Sequence, residues 1–354
     1  MSPSDREPRM PLRQRRRGSM PARRAQRGVA LLVAILLVAL GTIVAAAMAY
    51  NNAMTARRAA AGFEFDQALL LAEGTEALAA YGLQLQAQQN SPYIAPTQSW
   101  AQPLGPVQAM PGVMLQGSLE DLQGRFNIND LVESDGTTPN TIAIQAFQRL
   151  LTLLQLDPKW ADDTVNWIDK SATPMFPDAA ADSAYLEMSP PYRSPELPIT
   201  STSELLALPG FTRADFDKLS PYIVALPIGT QINVCSASKY LLDALTGTLQ
   251  FSEDPEFDQN RRDAGGCFPS PRQVAQAATD IVAGGSPSGG AVGANGGNGN
   301  AQQQGLSSLL AEKSSWFRLT TFIDVGSAEF AVYTLLYQDQ TGMVQPVMRS
   351  FTPD

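Results

Sequence analysis

The chain has 354 residues, enough for two compact domains, and 44 % of them are apolar, so it is no disordered polymer, although 27 Gly and 26 Pro predict long irregular stretches. It contains no histidine, which excludes Ser-His-Asp and Cys-His catalysis and histidine-bound zinc. The net charge is −9, but residues 1–28 hold nine arginines against Asp5 and Glu7, a balance of +7 that leaves −16 after Gly28. A body that acidic repels nucleic acid and anionic lipid.

The basic leader runs into "RGVALLVAILLVALGTIVAAAMAY", Arg27 to Tyr50, and no charge appears between Gly28 and Ala56. As a helix, Val29–Tyr50 would be about 33 Å long, the thickness of a bilayer core. Arginines before it and none immediately after predict a cytoplasmic N-terminus and a translocated bulk, which in a diderm bacterium means a single-pass inner-membrane protein with its bulk in the periplasm. Two cysteines, Cys235 and Cys267, fit an oxidising compartment. They either form one disulfide, worth ~3–4 kcal/mol for a loop of about thirty residues, or remain unpaired thiols.

Three fates compete for the apolar segment. Ala47-Met48-Ala49 supplies a small-x-small site for a cleaved secretory signal. Arg16-Arg17 and Arg23-Arg24 are twin arginines without the expected following pattern. Arg27-Gly28 before "VALLVAILLVAL" resembles the type III leader of type IV pilins and type II secretion pseudopilins, in which the cut precedes the apolar helix. That resemblance implies cleavage between Gly28 and Val29 by a prepilin peptidase, with Val29 as the methylated mature N-terminus. Pilin-like proteins usually carry Glu at the fifth mature position, which here is Val33. In the family that Glu pairs with the N-terminal amine of the subunit already in place; unpaired in hydrocarbon it would cost several kcal/mol.

After the membrane run, "RRAAAGFEFDQALLLAEGTEALAAYGLQLQAQQ" continues as helix, with Leu71, Leu78 and Leu85 at intervals of seven and Leu70, Ala77 and Tyr81 on a neighbouring stripe. Pro92, Pro96 and Pro103 stop it. Val113, Leu115, Gly117 and Leu119 then alternate with mainly polar neighbours, the pattern of a strand buried on one face. Near the end, "SWFRLTTFIDVGSAEFAVYTLLYQDQTGMVQPVMRSF" reads as three strands, with turns at Gly326-Ser327 and Gln340-Thr341-Gly342. The strand-forming parts are split by a long insertion that reads as helical. In it, Ile142, Phe147, Leu150, Leu151 and Leu154 share one face, and Ser203 is a candidate N-cap before a Pro-Gly hairpin. "INVCSASKYLLDALTG" adds an extended entry, a capped helix and a glycine. "GGSPSGGAVGANGGNGN" has the composition of a disordered linker.

"LEDLQGRFNINDL", "NWID", "DSAYL", "PPYRS", "SELLALPGF", "LSPYIVALP" and "INVCSAS" follow the order typical of the K-type pseudopilins of type II secretion (the GspK family), which the chain resembles over about residues 25–280 and its final strands. The resemblance implies an α+β, type IV pilin-like fold: a long N-terminal helix packed on an antiparallel sheet, with a large inserted α-helical domain of two sterile-alpha-motif-like parts. The expected layout is a cleaved leader at 1–28, a transmembrane helix at 29–50 and pilin helix plus first strands at 51–135. The inserted domain then takes 136–283, a Gly-rich linker 284–305 and the last sheet strands 306–354. K-type subunits typically lack the Glu of the fifth position. The implied place is the pseudopilus tip, bound to the I- and J-type minor pseudopilins, with the H type and the major pseudopilin below.

The family also implies a calcium question, around a run resembling Asp-Trp-Leu-Asp-x-Asp followed by Gly-Ala-Glu-Asp before Tyr-Leu. Here Asn166, Ser171 and Ala181 replace acids while Asp169 and Asp182 remain, and Asp162, Asp163 and Asp178 are further oxygen donors. Calcium takes six to eight oxygens, so losing three carboxylates weakens such a site, and the alternative is a solvated acidic loop.

Two other classes are weaker. Adjacent acids such as Asp162 and Asp163 are ordinary helix-start residues, and no phosphate-cradling loop is present, so no enzyme is expected. "LPGFTRADFDKL" resembles a helix-hairpin-helix and carries the alternative of a Sec-exported DNA-binding module. It lacks the second glycine, and Arg213 and Lys218 face Glu204, Asp215 and Asp217 in number. The expected function is initiation and capping of a secretion fibre, mechanical rather than chemical, with no cofactor.

Overall fold

The computed structural model describes residues 27–171, 176, 182–283, 305–326 and 328–353. The leader to residue 26, the turn residue Ser327 and nearly all of the 284–305 linker lie outside them. The chain divides into two units, Met1–Phe63 and Glu64–Asp354. Helix α1, Arg27–Gln88, contributes to both. In the first unit its apolar side chains are open to the surroundings, Leu36 at 67 % and Ile43 at 66 % exposure.

The second unit is built on a five-stranded antiparallel sheet. Its strands are β1 (Leu104–Met110), β2 (Val113–Asp121), β7 (Trp316–Val325), β8 (Ala328–Gln338) and β9 (Val344–Ser350), in that spatial order. Between β2 and β7 the chain forms four two-residue strands, β3 (Phe126–Asn127), β4 (Ile223–Val224), β5 (Ile232–Asn233) and β6 (Leu310–Ala311). It also forms the helices α2 (Thr141–Leu153), α3 (Lys159–Ile168), α4 (Asp182–Leu186), α5 (Arg213–Leu219), α6 (Lys239–Thr246), α7 (Phe257–Asp263) and α8 (Pro271–Ala283).

β2 buries Val113, Leu115 and Gly117 and exposes Met114, Gln116 and Ser118, the expected alternation. The three C-terminal strands and the turn at Gln340 to Gly342 fall where the pattern puts them. β1 had no sequence signal. All seven of its residues are exposed, so there is no alternation to read, and Pro106 is tolerated because β1 is an edge strand.

The 64–88 part of α1 lies on one face of the sheet; of the expected leucine stripe Leu71 packs half-buried against that core, and the other members do not. Leu70, Leu78, Tyr81 and Leu85 point outward, at 68, 51, 58 and 40 % exposure. The buried row is Ala68, Ala72, Thr75, Glu76, Ala79, Leu83 and Gln86. Small residues let the helix approach the sheet closely, and its polar members are matched by polar strand residues. Thr75 Oγ1 lies 3.1 Å from Thr321 Oγ1, Thr334 Oγ1 donates to Glu76 at 2.8 Å, and Gln338 Nε2 donates to the Leu83 carbonyl at 3.1 Å. Arg349 of β9 clamps Glu76 through Nε and Nη2, both at 2.7 Å.

The insertion has one contiguous core, shared by Phe147, Leu150 and Leu151 of α2, Leu205, Phe216 and Leu219 of the hairpin, and Leu241, Leu242 and Leu245 of α6. It draws on residues outside 136–283, including Phe126, Ile128 and Leu131 before it and Leu306 and Leu310 after it. β3 pairs in parallel with β4, and β5 with β6. The cap expected at Ser203 is taken by Ser201, which forms a capping box with Glu204 at the start of the 3-10 turn Thr202–Ala207. The box needs an acid three residues on, and Ser203 has Leu206 there. α6 follows the pattern closely, with Ser238 as N-cap and Gly247 in the left-handed conformation at its end (φ 76°).

Candidate functional site

Two places carry the sequence expectations, the start of α1 and the acidic loop; a third, the seam where insertion and sheet meet, is seen only in the structure. α1 is long and apolar enough to cross a membrane, with a mean hydropathy of 2.9 over its most apolar stretch. Gly28 and Val29 lie at the N-terminal end of its described length. Val33 is 51 % exposed, and nothing lies within 4 Å of where a side chain on Gly41 would be.

In the acidic loop the expected donors have separate partners. Asp162 accepts from Gln148 Nε2 at 3.2 Å, and burial raises its pKa. Asp163 is buried with Lys159 Nζ at 3.4 Å, and Asp169 is buried and accepts from the Ser171 N–H at 2.8 Å. Asn166 holds both backbone groups of Phe176: its Nδ2 donates to the carbonyl at 2.9 Å and its Oδ1 accepts from the N–H at 3.2 Å. An amide can do both and an ionised carboxylate cannot. Among the described residues no three acidic side chains converge, so Asp162, Asp163 and Asp169 alone do not fit calcium. Asp178 and the side chain of Asp182 lie outside the described residues.

The seam is a polar clasp. Asp121, at the end of β2, is buried and accepts from Ser236 Oγ at 2.5 Å, Ser314 Oγ at 2.7 Å, Asn233 Nδ2 at 2.9 Å and the Gln123 N–H at 2.9 Å. Burial raises its pKa against the pull of those donors. Asn233 also donates to the Ile94 carbonyl at 2.8 Å, and Gln123 donates to the Gln231 carbonyl at 2.7 Å. Side-chain amides here stand in for missing strand neighbours. Asn129 Oδ1 accepts from Ile199 N–H at 2.8 Å while its Nδ2 donates to Leu226 O at 2.8 Å. Cys235, beside Asn233, is joined to Cys267 as a disulfide. Arg261 secures the same loop through the carbonyls of Phe268, Ala237 and Val234, and burial lowers its pKa to about 10.

Asp130 sits on the same seam. It is 5 % exposed, accepts from the Gly229 N–H at 2.7 Å, and burial raises its pKa to about 7. The folded chain therefore holds a proton that the unfolded chain releases near pH 4, and the associated stability is lost as pH rises from about 4 through 7. Asp130→Asn keeps the acceptor and removes the charge. It is expected to stabilise the fold by about 2–4 kcal/mol at pH 8 and by little at pH 4, read as urea midpoints of the two proteins.

Sequence reading missed Asp121, Asp130, Asn233 and the Glu76–Arg349 clamp. The one available signal was the run of amides and acids in "LEDLQGRFNIND", too polar for a segment flanked by core residues.

Residues 124–228, which include much of this seam, match the family described as type II secretion system (T2SS), protein K. The type II secretion system protein K of Pseudomonas aeruginosa is 32 % identical over 253 residues, covering 69 % of this chain and 74 % of that one. The chain belongs to the type II secretion system protein K family. Protein K of Pectobacterium carotovorum is 27 % identical over 93 % of this chain and 97 % of its own. The solved GspK-GspI-GspJ complex from enterotoxigenic Escherichia coli contains a chain similar in fold, with a TM-score of 0.66 at 21 % identity, covering 84 % of this chain and all of that one. The K family is a family of structural secretion components with an N-terminal apolar helix, and the pilin-like fold with a helical insertion is shared with that neighbour.

Proposed function

We propose that the chain is the minor pseudopilin that begins and caps the type II secretion pseudopilus, a non-enzymatic role in protein export across the outer membrane. The observation that carries this reading is Val33, an apolar residue inside the uncharged run Gly28–Ala56 where shaft-forming relatives carry Glu. Without that carboxylate the subunit has no charge to place on a predecessor's amine, so it can start a fibre but not join one. Prepilin peptidase cuts before Val29, the new amine is methylated, and α1 stays in the inner membrane with its N-terminus cytoplasmic and the head in the periplasm. The similar fold solved with GspI and GspJ supports I- and J-type subunits as the partners, with the H-type and major pseudopilins below. Calcium is not part of this reading.

Val33→Glu tests it. The variant is expected to enter the shaft or assemble out of order, scored by cross-linking to the major pseudopilin. Assembly indistinguishable from the parent would count against the capping role.

A further inference from the structure

Beside the clasp, on the sheet face away from α1, a cavity of about 290 Å3 opens between insertion and strands. We propose that it binds a carboxylate carried on an apolar stem: an acidic side chain on an extended peptide segment of a partner protein.

The charged residues lining it are Arg125 and Arg318, both with 19 % of the side chain exposed. They share a single carboxylate. Glu120 gives one oxygen to Arg125 and the other to Arg318 Nη2 at 2.6 Å, which leaves one positive charge uncompensated among the described residues. Donors exceed acceptors as well. Among the described residues, Arg125 has one further bond, Nη1 to the Ser220 carbonyl at 3.4 Å, and Arg318 Nε is buried without an acceptor. In a body carrying −16 after Gly28, this is a local reversal of sign that favours an anion. Planar guanidinium forks match a carboxylate in two-point contact.

The walls select what carries the charge. Leu122, Val224, Leu335 and Met348 form an apolar part of the wall beside the hydroxyl-bearing Thr200, Ser201, Thr202 and Ser220; a bare phosphate would leave the apolar part wet while the stem of a glutamate would cover it. Met348 belongs to β9, an edge strand, so the mouth of the cavity lies at the margin of the sheet, where a side chain of a partner segment can enter.

The test uses the full chain in detergent, with nitrogen NMR of labelled arginine side chains. The probes are acetyl-Val-Glu-Val-amide, its Val-Gln-Val counterpart and inorganic phosphate. The Glu peptide is expected to shift the Arg318 and Arg125 signals saturably, and the Gln peptide to bind at least about tenfold more weakly. Arg318→Gln should abolish the shift. Met348→Trp, which fills the mouth and keeps both arginines, should abolish it too and guards against a merely misfolded first variant. Equal binding of both peptides, or retained binding in both variants, overturns the proposal. Saturation by phosphate without any response to the Glu peptide also overturns it, by making the cavity a free-anion site.

Discussion

Gly28→Leu is expected to leave the basic leader on the chain and abolish entry into the fibre. The bond between Gly28 and Val29 lies within helix α1, next to a glycine, the weakest helix former after proline. Glycine costs a helix about 1 kcal/mol relative to good helix formers, which favours the unwinding a peptidase needs. Leucine removes that weakness and adds a side chain at the scissile bond. N-terminal sequencing of parent and variant reads the result, with Val29 expected first in the parent and residues before Gly28 retained in the variant. Normal processing of Gly28→Leu would refute the cleavage assignment, and Tyr50 as first residue of the parent would replace it with a discarded signal.

The second large effect is expected from Glu76→Ala. Glu76 is 5 % exposed and takes two bonds from Arg349 and one from the buried Thr334 hydroxyl. Removing one member of a buried pair strands the other. Arg349 keeps Glu73 at 3.4 Å and is 39 % exposed, so the loss should be about 2–4 kcal/mol rather than the full figure for a wholly buried pair. Glu73→Ala removes an exposed pair and should cost less than about 1 kcal/mol. Urea midpoints at neutral pH separate the two. Equal, small losses would show that Glu76 contributes no more than a surface charge.

The elements legible in the sequence are those with one wet and one dry face. β2 and β7 alternate because one side meets α1 and the other does not. α6 announces both ends, Ser238 before it and Gly247 after it. β1 was illegible because no side is buried, so periodicity is silent. The helix face misled for the opposite reason. Leucines at intervals of seven mark an apolar stripe but do not say what covers it, and the sheet selected alanines that let backbones approach. At the candidate sites, the expectation for Gly28, Val29 and Val33 rests on local order alone. The clasp was not legible, because Asp121 and Ser314 are 193 residues apart and nothing local marks either as a partner.

That separation dictates when the head can close. In the proposed topology, with the N-terminus cytoplasmic, the polypeptide would cross the membrane from its front to its back, and the stretch that supplies Ser314 and the Gln123-bound amides of Ser315 and Trp316 would arrive well after Asp121 and Asn233. Until then Asn233 and Asp121 lack a member of their knot, and an acid meant to be enclosed stays hydrated. On that reading a newly exported subunit would keep an open knot until those residues emerged, and its head would close only then.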